Sequence, residues 1–127
     1  MEEALLSRIV GADTVKALIG DKVQWGVREG DSCIALHLIG DEPDYHHGGR
    51  SGLSAARVQA DCWGLTWLDA KALGGALEGA LPGQGLVIGD VRFDACLVLS
   101  RDIGRFGDAP NILFRNRLDL RVWHATA

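Results

Sequence analysis

The side chains best suited to chemistry in this sequence gather between His37 and His47, where Asp41, Glu42, Asp44, His46 and His47 crowd into one polar stretch. Carboxylates and imidazoles this close can hold a metal, and a catalytic zinc commonly takes three protein ligands plus water. The set His37, Asp44, His46 and His47 would equip a small metal-dependent enzyme. Its spacing matches no HExxH-type motif, and nothing nearby supplies the groups that orient metal ligands. A solvated loop is the better reading, and neither metal nor cofactor is expected.

The remaining candidates fail on context. Ser51 sits in GRSG, but a nucleophile elbow needs GxSxG on a strand-to-helix turn, and Ser51 precedes a strand. GLVIG at 85–89 lacks the lysine and hydroxyl residue of a phosphate loop. Cys62 and Cys96 fall inside strand patterns and read as core, while Cys33 has no evident base. Trp25, Trp63, Trp67 and Trp123 read as core or rim residues, one or two of which could anchor an interface. No catalytic constellation is left, and no enzyme is expected.

Composition sets the wider frame. With 127 residues, 47% of them hydrophobic, the chain suits one domain with a single core. A net charge of -4 and a pI near 5.4 speak against a general nucleic-acid binder. The three widely spaced cysteines fit neither a disulfide framework nor a zinc knuckle, and suit a reducing compartment. MEEALLSRIV carries acids where a signal peptide needs bases, and no apolar run approaches a membrane span. A soluble protein made in the cytoplasm is expected.

Periodicity supplies the elements. Leu5, Leu6, Ile9 and Val10 predict a helix over 2–10, and Asp13 would cap a second over 14–19 that ends at Gly20. Val23, Trp25 and Val27 predict a strand, joined through the turn signal EGD to a strand over 33–39 as a hairpin. Asp41–Leu53 reads as a polar loop. In the strand after it, Val58, Ala60 and Cys62 face the core and Arg57, Gln59 and Asp61 the wet side. There Asp61 with Arg57, like Asp119 with Arg121, decorates a solvated face or meets a partner across strands.

Thr66, with Asp69 three residues on, predicts the start of a helix striped by Ala72, Leu73, Ala76, Leu77, Ala80 and Leu81 and stopped by Pro82 and Gly83. Gly74 and Gly75 inside it are tolerable if the helix lies close against a sheet. Residues 87–93 and 95–100 predict a strand pair turning at Asp94, 101–108 a second polar loop, and 113–123 a last strand. The fold class is α+β: a mainly antiparallel sheet with an N-terminal helical segment and one longer helix on one face.

Four stretches together resemble a known family. SGLSAARVQADCWG (51–64) followed by TWLDAKAL (66–73), GDKV at 20–23, and LDLRVWH at 118–124 are similar to the tail completion, or tail terminator, proteins of long-tailed phages and gene transfer agents. The likeness spans most of the chain, is most specific at RVQADCW, and thins between 83 and 111. PDYHHGGR at 43–50 departs from the family pattern.

The resemblance implies a structural virion protein, assembled in the host cytoplasm and placed at the head-tail junction. Such proteins form a homo-oligomeric ring, typically a hexamer, on the head-proximal end of the tail tube. The ring stops tube polymerisation and joins the head connector, and DNA crosses its lumen. The expected contact loops are Asp41–Leu53 and Arg101–Asp108, with Asp44, His46, His47, Arg50, Arg57, Asp61, Arg101, Arg105 and Arg121 as interface residues. A connector-side stopper, or head-completion protein, is the alternative.

Overall fold

The computed structural model describes residues 1–46 and 49–127, with side chains for all of these except 45, 46 and 49–51. Two short helices open the chain, α1 (Glu2–Val10) and α2 (Asp13–Ile19). Ala12 holds the N-cap position of α2, so Asp13 is its first helical residue and not its cap. Its carboxylate still favours that end through the helix dipole. Strands β1 (Val23–Trp25), β2 (Cys33–His46) and β3 (Gly49–Gly64) follow, then α3 (Trp67–Ala80), β4 (Leu86–Ile88), β5 (Val91–Phe106) and β6 (Leu113–Thr126).

All six strands form one sheet in the order β1-β2-β3-β6-β5-β4. Every neighbouring pair is antiparallel except β1 and β2, which run parallel with Val23 beside Ile34. The expected β1–β2 hairpin is therefore corrected. Because β1 is only three residues long, the 26–32 connection has room to double back and start β2 beside Val23. The Gly26 N–H donates to the Leu36 carbonyl and the Ile34 N–H to the Lys22 carbonyl, which fixes the parallel register.

Most of what reads as loop is strand. β2 and β3 stay paired from Cys33–Trp63 out to His46–Gly49, so the described part of Asp41–Leu53 is the outer part of a long hairpin, and residues 47–48 lie outside the described residues. Likewise β5 runs to Phe106 and shortens the expected 101–108 loop to its last residues. The β4–β5 turn falls at Gly89-Asp90, not at Asp94. A two-residue hairpin turn needs positive φ at its first position, and Gly89 has φ 61°. Asp94 instead marks a register shift between Phe93 and Ala95.

The helices cover one face. Leu5, Ile9, Val15, Leu73 and Leu77 pack on Ile34, Leu36, Val58, Ala60, Cys62, Leu118, Leu120 and Val122, all buried. Period-2 alternation places these strand residues on a single face. Thr66 caps α3 as expected, its hydroxyl accepting from the Asp69 N–H at 3.1 Å. The buried stripe of α3 is Ala70, Leu73, Gly74, Leu77 and Ala80, and Ala72 is exposed. Gly74 explains itself: a Cβ there would stand 2.1 Å from Asn116 Nδ2, so only glycine lets α3 approach β6 this closely. Gly75 has open space around it.

Candidate functional site

No helix lies on the other face of the sheet, and this face presents the alternate residues of β2, β3, β6 and β5. Its centre is Asp61, opposite Ala35 on β2 and Arg117 on β6. Arg117 donates to Asp61 through Nε at 2.8 Å and Nη2 at 3.2 Å, and His37 Nε2 stands 3.6 Å from Asp61 Oδ2. The sequence leaves Asp61 either decorating a wet strand face with Arg57 or meeting a partner across strands. The structure has it meet a partner across strands, Arg117 and not Arg57, with the residue 4% exposed. The hydrogen bonds from Arg117 raise the pKa of its guanidinium above the ordinary value. A nearly buried carboxylate held bidentately is a fixed structural pair and leaves little for an external partner.

Two rungs along, Arg57 stands opposite Arg121, both exposed. Like charges facing one another across a ladder repel, and among the described residues neither has an ion-pair partner. With Ile39, Glu42, Ala55 and Trp123 they line a groove of about 440 Å³. Asp119, between the two arginine rungs, accepts from the Ser100 hydroxyl at 3.0 Å.

The opposite end of this face carries an aromatic and guanidinium stack. Trp63 and Phe106 meet edge to face at 5.7 Å. Arg115 lies 4.2 Å from the Phe106 ring centroid, and Arg28 lies 5.0 Å from that of Trp63. Arg28, Trp63 and Phe106 border a second groove of about 500 Å³. Sequence pattern alone could not assemble this stack, since Arg28, Trp63, Phe106 and Arg115 come from four separate segments.

The other expected interface residues disperse. Arg101 points to the helix side and pairs with Glu78 of α3, its Nη2 donating to Oε2 at 2.9 Å. That hydrogen bond lowers the Glu78 pKa. Arg105 is exposed near the end of β5, and Asp44 is exposed on the outer part of β2. His46 and Arg50 lie on the hairpin backbone with side chains outside the described residues, and His47 lies outside them altogether. The metal set His37, Asp44, His46 and His47 therefore falls partly outside, and among the described residues no three His, Cys, Asp or Glu side chains could hold an ion. His37 faces Asp61, while His124, which sequence reasoning passed over, contacts Asp41 at 3.1 Å. No helix is long and apolar enough to cross a membrane.

The site is thus a helix-backed sheet with an open polar face, extended by a long hairpin. The sequence matches the family described as Tail completion protein gp17 over residues 3–125, and the chain belongs to that family. It is a structural protein of the head-tail class. The fold is similar to that of a chain in a solved structure titled "Virion of native gene transfer agent (GTA) particle", with a TM-score of 0.73 and 19% identity, covering 98% of this chain and 94% of that one. No curated protein matches the sequence significantly.

Proposed function

We propose that residues 1–127 act as one tail-terminator domain, forming a homo-oligomeric ring, most simply a hexamer, on the head-proximal end of a tail tube. The ring stops tube polymerisation and offers its other side to the head connector, and DNA passes through its lumen without specific binding. The observation that carries this reading is the tail-completion family match over residues 3–125. Likeness to a chain of an assembled virion supports it at the level of the fold.

The molecular surface is consistent with that role. A rigid sheet positions a protruding hairpin, and loops and tips on a rigid scaffold are where contacts concentrate. The net charge of -4 suits a conduit, since a strongly basic lumen would grip the phosphates passing through it.

Co-sedimentation tests the reading. The purified chain is offered separately to assembled tail tubes and to connector rings from the same particle. Binding to tube ends at about one ring per tube supports the terminator role. Binding to connector rings alone contradicts it and assigns the chain to the stopper side of the joint.

A further inference from the structure

Both edges of the sheet are only partly covered, and they differ. β1 pairs with β2 over Ile34–Leu36, and among the described residues no strand pairs with the outward edge of β2 beyond that point. β4 pairs with β5 over Val91–Phe93, and among the described residues no strand pairs with the outward edge of β5 from Asp94 to Phe106. Open strand edges are templates for pairing with another chain, and soluble proteins normally shorten or cover them.

Three observations mark these edges as a matched pair. First, the exposed large apolar side chains of the sheet all lie on its outer strands: Leu38 and Ile39 on β2, Leu97, Leu99 and Phe106 on β5, and Val87 on β4. Among the described residues the central strands β3 and β6 have none, although their open face is wet at Arg57 and Arg121. Second, the charges complement. The β2 edge carries Glu42 and the β5 edge carries Arg105 beside Asp102, whereas Asp41 and Arg101 are engaged within the chain by His124 and Glu78. Glu42 and Arg105 have no ion-pair partner among the described residues. Third, β2 and β5 run in opposite directions within the sheet, so a neighbour placed alongside meets β5 with an antiparallel β2.

We propose that copies of this chain join edge to edge, β2 from His37 to Asp44 of one copy lying against β5 from Asp94 to Phe106 of the next. The inference rests on the ring reading above and names the surface that closes the ring. Two different edges make a heterologous contact, which generates a closed ring when the rotation between copies closes. Register shifts at Ile39 and Leu99 interrupt both edges. They keep an isolated edge from pairing indiscriminately, and each irregularity carries an exposed aliphatic side chain, Ile39 or Leu99, that sets the fit.

Two single variants of the full chain test this, Ile39→Lys and Leu99→Lys, at positions 57% and 45% exposed, where a lysine ammonium reaches water. Wild type, each variant, and an equimolar mixture of the two are examined by sedimentation velocity, with and without tail tube protein. The expected result is rings for wild type, monomers for each variant alone, and a 1:1 heterodimer for the mixture. Each variant keeps one good edge, so the mixture makes one sound junction and cannot grow. The heterodimer also shows that both variants fold. Rings from either variant alone, or a mixture that stays monomeric while wild type forms rings, would overturn the edge assignment and leave the ring reading standing. Wild type that forms no ring even on tube protein would overturn both.

Discussion

Gly74 of α3 and Asn116 of β6 are in such close apposition that a methyl group on Gly74 would stand 2.1 Å from Asn116 Nδ2. Asn116 cannot retreat freely, being 4% exposed with Nδ2 donating to the Ala70 carbonyl at 3.3 Å. Gly74→Ala therefore forces helix and sheet apart, and the cost of overpacking, about 1–3 kcal/mol, exceeds the roughly 1 kcal/mol gained in helix propensity. Gly75→Ala has nothing within 4 Å to meet and keeps the gain. Thermal unfolding of the two variants should move Tm in opposite directions, down for position 74 and up for position 75. Equal shifts would refute the close-approach account.

Arg117→Met leaves the buried Asp61 carboxylate with His37 alone. Loss of one partner from a fully buried pair costs about 3–5 kcal/mol. Arg117 is about a third exposed (32%), so water compensates in part, and the expected loss is about 2 kcal/mol. Urea unfolding at pH 7 measures it. The double variant Asp61→Leu with Arg117→Met should recover most of the loss, because a matched apolar pair leaves no buried charge behind.

Arg57 and Arg121 repel across their rung, so Arg57→Gln should leave the Tm of the isolated chain unchanged or slightly higher. If this pair receives an acidic group from another subunit, the same variant weakens assembly. A normal monomer Tm combined with a higher protein concentration for tube capping is the expected outcome. A fall in Tm would mean that the arginines are structural within the chain.

Burial raises all three thiols, Cys33, Cys62 and Cys96, with Cys96 pushed up to about 11. At pH 8 only about one Cys96 thiol in a thousand is then ionised, and thiolate is the reacting form. A colourimetric disulfide reagent should label the native chain slowly at pH 8 and all three thiols rapidly in denaturant. A raised folded-state pKa contributes stability that is complete below the unfolded value of 9.0 and is lost as pH climbs through the folded value. Stability should decline between about pH 9 and 11, and Cys96→Ser should flatten part of that decline.

Periodicity made the core strands and helices legible. Val58, Ala60 and Cys62, and Leu118, Leu120 and Val122, are buried as alternation requires, and α1 spans Glu2–Val10. What escaped depends on partners distant in sequence. Asp61 looks like any polar strand residue until Arg117 arrives on the adjacent strand and closes over it. Glycines, prolines and charges made 41–53 and 101–106 look like loops, yet pairing across a wide sheet draws such residues into strands regardless of local preference. The parallel β1 was hidden for a related reason, since a turn signal marks a reversal but not which side of the next strand receives it. RVQADCW was informative because it marks the family as well as a strand.

The most direct test of the central claim is tube length. The purified chain is added at rising molar ratio to polymerising tail tube protein, and the products are measured by negative-stain electron microscopy. The account predicts tubes that shorten with added chain and bear an extra ring at one end only, with averages of that ring giving its subunit number. Tubes of uncontrolled length with bare ends at every ratio would contradict it.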